Sequence, residues 1–183
     1  TRSFEVRKQE GRRYFLQFEG IGTYATIALN GKAFSRQPVG RTTLTLDVTD
    51  VLVDGENCLE VKAEHPELIA DMPWVCGGCS SEWGFSEGSQ PFGIFRPVTL
   101  VETDEVRIEP FGVHIWNNEK ADSVFVDLEI KNYSKHLQEI EVVNKLSDAD
   151  GRQTFRLTQK LTLKPGELRV IRQQSPVKDA SRW

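Results

Sequence analysis

The 183-residue sequence predicts an all-β protein made of two successive antiparallel sandwiches. Three observations predict it. Apolar residues recur with a period of two in segment after segment, the spacing that turns one face of a strand toward a core. Turn dipeptides that favour positive φ, Asn-Gly and Asp-Gly among them, separate those segments. Helical periodicity is nearly absent.

Taken in order, "RRYFLQFEG" (12–20) is the first long strand, and "YATIAL" (24–29) alternates after it. Asn30-Gly31 then supplies the pair of positive-φ residues that a type I′ hairpin turn requires, and "KAF" returns. "TLTLDV" (43–48) alternates again and runs into the short turn "TDVL". "DGEN" (54–57) marks a reversal before "CLEVKAEH", whose Leu59, Val61 and Ala63 share one face. "GIFRPVTL" (93–100) is an apolar strand with Arg96 in its middle. A second series comes after it. "SVFVDLEIKNYS" (123–134) places Val124, Val126, Leu128 and Ile130 on one face, and "EIEVVNKLSDADGRQ" is a strand entering a turn at Asp150-Gly151. "FRLTQKLTL" and "LRVIRQQ" flank "KPGE" (164–167), with Pro and Gly at the central positions of a type II turn. Short strands at roughly ten-residue spacing suggest an immunoglobulin-like sandwich. No Cys pair is placed to bridge its sheets. The boundary is expected near Glu109-Pro110, giving domains 1–109 and 110–183.

Composition narrows the function classes. Hydrophobic content of 38% and charged content of 27% are ordinary for a globular domain. A net charge of −4 argues against nucleic acid, which selects a basic face. No apolar run approaches the roughly 18 residues of a membrane helix. The N-terminus "TRSFEVRKQEG" has neither an apolar h-region nor a starting Met, so the chain reads as a processed or trimmed piece and the compartment stays open. Of the three cysteines, Cys58, Cys76 and Cys79, the last two form one Cys-x-x-Cys. His65, His114 and His136 show no paired spacing to complete a zinc site, and no βαβ pattern supports a redox motif. Two free thiols, or a local Cys76–Cys79 disulfide, remain.

Residues 66–92, "PELIADMPWVCGGCSSEWGFSEGSQPF", interrupt the β rhythm. Connections of this length are usually functional or disordered, and Trp74, Trp83, Phe85 and Phe92 make this one too aromatic for a solvated linker. Asp71, Glu82 and Glu87 stand beside Trp74 and Trp83. Indole rings stack on the apolar faces of sugars while carboxylates accept hydrogen bonds from their hydroxyls, so the segment is a candidate carbohydrate contact. A structural reading competes with it: tryptophans capping the sandwich edge and acids in solvent. A catalytic carboxylate pair wholly within the segment is disfavoured, because a long Gly-rich loop does not hold two carboxylates rigidly. No nucleophile triad and no phosphate loop stand out, and Lys32, Arg36 and Arg41 read as a solvated hairpin rim.

The ordered set Phe18-Glu19-Gly20, Asn30-Gly31, Asp47-Val48-Thr49, Gly55-Glu56-Asn57 and Gly93-Ile94-Phe95-Arg96 resembles the N-terminal sugar-binding domain of glycoside hydrolase family 2, which includes β-galactosidases, β-glucuronidases and β-mannosidases. Residues 110–183 look like that family's second, immunoglobulin-like domain, here incomplete. The resemblance implies a jelly-roll-like, galactose-binding-like sandwich ahead of it. It also implies that the catalytic glutamates lie in a (β/α)₈ barrel, for which 183 residues leave no room. No catalytic residue is therefore expected in this chain, which would be a non-catalytic part of a larger enzyme. Its partners would be that absent barrel and the enzyme's carbohydrate substrate, with a homo-oligomer allowed. In the β-galactosidase branch an acid shortly before G-I-F-R reaches the active site, and Glu87 is the matching position. The family residue is commonly Asp; Glu in "EGSQPF" is longer and has no evident second ligand, so no metal or cofactor is expected. Arg96 is expected as a structural anchor. A bacterial enzyme of this type would be periplasmic or secreted, with cytoplasmic as the alternative. A free-standing carbohydrate-binding module and a ligand-free adhesion sandwich are the competing readings.

Overall fold

The computed structural model describes residues 1–40, 42–64 and 93–177. Every regular element among them is a β-strand, and the chain divides into two units, Thr1–Glu102 and Thr103–Trp183. In the first unit, β1 (Arg2–Val6), β7 (Gly55–Glu64), β3 (Ile21–Leu29) and β4 (Lys32–Ala33) line up in that order. Two short strands, β5 (Gln37–Gly40) and β8 (Gly93–Ile94), also pair with β3. The second sheet runs β6 (Leu44–Asp47), β2 (Arg12–Phe18), β9 (Val98–Asp104).

The period of two decides what lies inside. Tyr14, Leu16 and Phe18 come from β2, and Ile21, Ala25, Ile27 and Leu29 come from β3. These alternate residues meet in one core, closed by Val39, Val48 and Leu52. Leu59, Val61 and Ala63, the predicted face of β7, pack against it. The hairpin turn has the expected chemistry: Asn30 and Gly31 adopt φ of 51° and 78°, both positive as a type I′ turn demands.

The segment "GIFRPVTL" is not one strand. β8 stops at Ile94 and β9 starts at Val98, and Arg96 lies in the bend between them, exposed. A contact far along the chain causes the break. The Phe95 ring lies over Gly20 so closely that a Cβ there would come within 2.6 Å of Cζ. Phe95 N donates to Gly20 O (3.3 Å) and Glu19 N to Pro97 O (3.1 Å), clamping the bend to the end of β2. Pro97 has no N–H to offer a sheet ladder, so the interruption wastes no donor. Glycine at position 20 is thus required by packing: its missing side chain is the seat of the ring.

The second unit has a three-stranded antiparallel sheet, β10 (Val106–Asn117), β11 (Ser123–Asn132) and β14 (Leu168–Pro176), and a two-stranded one, β12 (Gln138–Ser147) and β13 (Gln153–Leu163). Leu128 and Ile130 of β11, Val142 of β12, Leu163 of β13 and Ile171 of β14 form its core, so the two sheets bury their faces against each other. Glu109-Pro110 falls inside β10, where the register with β11 shifts between Ile108 and Val113. Phe111 there has φ of 60°, and a Cβ on Gly112 would meet Glu109 O and the Glu129 Cβ at 2.9 Å. Next to this bulge, Tyr133 donates its hydroxyl to Glu109 Oε1 (2.7 Å). Burial, then that hydrogen bond, pushes its phenol up to about 12. In the "KPGE" turn Glu167 N donates to Lys164 O, and Gly166 has φ of 70°, as a type II turn needs.

Gly20→Ala is expected to destabilise the first unit by about 1–3 kcal/mol, the usual cost of forcing extra volume into a packed site. Adding Phe95→Leu should recover part of that loss in urea denaturation. An alanine variant as stable as the parent would mean that the ring contact does not hold the bend.

Candidate functional site

The sequence-derived candidates Asp71, Trp74, Glu82, Trp83 and Glu87, and the cysteines Cys76 and Cys79, lie outside the described residues. The described structure shows what holds the two ends of that segment. At one end, β7 finishes against β3 with Ala25 opposite Ala63 and Tyr24 opposite Glu64. At the other, β8 begins against the same strand, with Gly22 opposite Gly93 and Ile21 opposite Ile94. Both stems are therefore fixed to one strand, β3, within a few residues of each other.

The stem at Glu64 is also tied by side chains. Arg36 Nε and Lys62 Nζ reach its carboxylate at 3.2 and 3.1 Å. The Arg36 guanidinium lies over the Tyr24 ring, 3.8 Å from its centroid. The hydrogen bond from Lys62, ahead of that from Arg36, holds Glu64 below the ordinary glutamate range. Arg36, which reads as hairpin rim in the sequence, thus joins three neighbouring strands or turns. Exposed pairs of this kind contribute little energy, so the main-chain ladder does most of the fixing.

At the other end of β3 and β7 from the stems stands a buried polar network. Asn57 is 1% exposed. Its amide nitrogen donates to Val53 O (2.9 Å) and Gly55 O (3.0 Å). Its oxygen accepts from Val53 N (2.9 Å) and from Asn30 Nδ2 (2.8 Å). Asn30 in turn donates to Val51 O (3.0 Å) and accepts from Cys58 N (2.9 Å). The Asn-Gly hairpin, the turn after Val48 and the start of β7 are bound together through these two amides. Asp47 performs a similar task one turn earlier. Its Oδ1 accepts from Thr49 N (3.1 Å) and Thr49 Oγ1 (2.7 Å), while Oδ2 pairs with Arg13. Burial alone would raise the Asp47 carboxyl, but the bonds from Thr49 and Arg13 outweigh it and hold it below the ordinary aspartate range. Lys8 Nζ adds two bonds of 2.7 Å, to Thr49 O and Leu52 O.

Arg96 makes no hydrogen bond or ion pair with described residues, and its clamped neighbours aim it outward. Among the described residues no group of His, Cys, Asp and Glu is placed to hold a metal ion.

One surface in the second unit escaped sequence reasoning. Register places His114 beside Asp127 beside Arg172, and Trp116 beside Phe125, on one face of the three-stranded sheet. Trp116 is 38% exposed and stacks on Phe125 with centroids 5.5 Å apart. Arg172 lies over the indole at 5.1 Å and forks onto Asp127 through Nε (2.8 Å) and Nη2 (2.6 Å). That hydrogen bonding holds the Asp127 carboxyl below the aspartate range. The alternation in "GVHIW" puts His114 and Trp116 on the same face, but only the strand register brings Asp127 and Arg172 to them.

The five motifs thus account for turns, a clamp and an amide network in the first unit. Residues 1–73 match the family described as the glycosyl hydrolase 2 galactose-binding domain-like domain. That match falls within the first unit. Relatives of the chain include a β-galactosidase of Priestia megaterium, 24% identical over 172 residues, covering 92% of the chain and 16% of the relative. A β-glucuronidase of Bacteroides fragilis is 32% identical over 102 residues, or 55% of the chain and 13% of the relative. Among solved structures, a β-glucuronidase of Bacteroides uniformis superimposes with a TM-score of 0.80 at 18% identity, over 99% of this chain and 22% of its own. A glycosyl hydrolase family 2 member of Bacteroides cellulosilyticus gives 0.79 at 22% identity, over 100% and 24%. Those two likenesses establish a shared fold across the chain. The chain spans 16% to 20% of the length of the first two curated relatives that it matches.

Two measurements test the network. Asn57→Leu should cost about 2–3 kcal/mol, because it strands the Val53 and Asn30 groups that the amide satisfies; a change below the error of a urea melt would contradict this. Asp47 has a depressed carboxyl in the folded state, so its contribution is present above about pH 4 and is lost as the pH falls through the folded value. Thermal melts from about pH 6 to pH 2 should therefore fall more steeply for the parent than for Asp47→Asn. Parallel curves would remove Asp47 from the account.

Proposed function

We propose that the chain is the non-catalytic front portion of a family 2 glycoside hydrolase and supports a catalytic (β/α)₈ barrel carried by polypeptide outside these 183 residues. In this reading the segment 71–92 belongs functionally to the barrel's pocket. Glu87 accepts hydrogen bonds from sugar hydroxyls, Trp74 and Trp83 stack on sugar faces, and Glu82 and Asp71 line the approach. Hydrolysis itself needs a pair of carboxylates flanking the glycosidic bond at fixed separation, and that pair is assigned to the barrel. The second unit, two sheets packed face to face, is read as the immunoglobulin-like spacer of such enzymes. The periplasm or the cell exterior, where external glycans are degraded, is the proposed compartment.

The observation that carries the reading is the convergence of both stems of the segment on β3, inside a domain of the galactose-binding-like family. The shared strand brings the two ends of the segment together at one place on the sheet, and connecting segments on such frames are where function concentrates. Relatives that are a β-galactosidase and a β-glucuronidase support a carbohydrate substrate. A second reading, carbohydrate binding by the chain itself, is favoured by the exposed Trp116 beside the Arg172–Asp127 pair.

Expressed with the polypeptide beyond Trp183, the protein should hydrolyse aryl β-glycosides, while the 183-residue chain should not. In the longer enzyme Glu87→Gln should lower kcat/KM about tenfold or more without moving Tm. Unchanged kcat/KM would remove Glu87 from the pocket, and hydrolysis by the chain alone would overturn the reading.

A further inference from the structure

Between the two sheets of the first unit, on the side where β1 and β9 are the outermost strands, lies a cavity of about 590 Å³. Its walls are mainly apolar: Phe4 of β1, Leu16 of β2, Leu59 and Val61 of β7, and Val98 and Leu100 of β9. A cavity of about 150 Å³ accepts a benzene molecule, so this one has room for about four side chains of that size. Leaving such a surface wet is costly, since apolar area contributes roughly 25 cal/mol per Å² only when water is excluded from it.

The strands beside the cavity indicate what fits it. Among the described residues β9 pairs only with β2, and β1 only with β7, so one edge of each, over Val98–Thr103 in β9, has no described strand beside it. Natural edge strands are usually blunted with Lys, Pro or a bulge. β9, "VTLVETD", contains neither Lys nor Pro, and Val98, Leu100 and Glu102 alternate along it. Glu102 is held by Arg12 Nε at 2.9 Å, which keeps its carboxylate on β2. An open, β-prone edge beside an apolar hollow suits an extended strand with every second side chain apolar. A globular ligand would satisfy the hollow but not the edge.

We propose that this groove is a strand-addition site. An extended segment of the same polypeptide, from outside these 183 residues, pairs with the free edge of β9 and drops alternate apolar side chains between the sheets. The inference rests on the reading of the chain as part of a longer enzyme, and it adds which surface the rest of that enzyme engages. The curated relatives carry ample polypeptide for the purpose, since the chain spans only 16% and 20% of the first two. The main-chain bonds would fix the register of the added strand, and the cavity would fix which face turns inward.

The test uses the 183-residue chain itself and a capped synthetic peptide of about nine residues, with Val, Phe and Leu alternating with Thr and Lys. Calorimetry should show saturable binding, and hydrogen exchange should slow along Val98–Asp104 when the peptide is bound. Val98 is 37% exposed and lines the groove, so Val98→Arg should leave Tm unchanged and weaken binding at least about tenfold. Val53 is 47% exposed and lies off the groove, and Val53→Arg should leave binding intact. Absence of saturation, slowed exchange elsewhere than β9, or equal weakening by both variants would overturn the proposal. So would a concentration-dependent dimer of the chain that Val98→Arg dissolves, because the groove would then belong to a second copy. None of these outcomes bears on glycoside hydrolysis by the longer enzyme, which is judged separately by its activity.

Discussion

The first unit depends on a buried side-chain amide. Asn57, at the foot of β7, satisfies main-chain groups of Val53 and Gly55 and meets the amide of Asn30 from the neighbouring hairpin. An amide left unpaired in this position would cost more than its bonds contribute, so the network is stable only when every member is present. That requirement fixes the turn after Val48, the entry into β7 and the tip of the β3–β4 hairpin as one body. The second unit repeats the device. Asn132 is 0% exposed, and its amide nitrogen donates to His136 O, Leu163 O and Lys164 O, joining the end of β11 to the turn after β13.

β7 and β3 run from this network to the two ends of segment 65–92. β7 begins at the Asn57 network and ends at Glu64, and β3 lies beside it along the whole path from Asn30 back to Tyr24. The return stem at Gly93 pairs with the same β3, and the Phe95–Gly20 clamp fixes the bend into β9. The motif residues are thus concentrated in turns and joints of the first unit, of which the Phe95–Gly20 clamp lies beside the return stem, and none of the described ones is arranged as an acid–base or nucleophilic pair. A scaffold of this type is free to vary its connecting segment, which is where function concentrates on rigid frames.

The legible parts of the fold were those with local causes. The Asn30-Gly31 and Pro165-Gly166 turns follow from φ preferences within a few residues, and the β2 and β3 core faces follow from alternation. Contacts between distant residues were not legible. The bend at Arg96 is set by a glycine between β2 and β3, and the bulge at Phe111 by β11. The same is true of the Trp116, Asp127 and Arg172 surface, whose members share a face only once the register of three strands is known. The aromatic and acidic segment was conspicuous in the sequence because it lacked a period, but the chemistry of its stems, Arg36 and Tyr24 included, needed the pairing of β3 with β7.

The central claim is that the two asparagines act as one unit. A double-mutant cycle of Asn30→Ala and Asn57→Ala, measured by urea denaturation of the chain, tests it most directly. The account predicts a coupling energy of about 1–3 kcal/mol, because each amide loses its partner when the other is removed. Strictly additive losses would contradict it, and the joints would then have to be explained by packing alone.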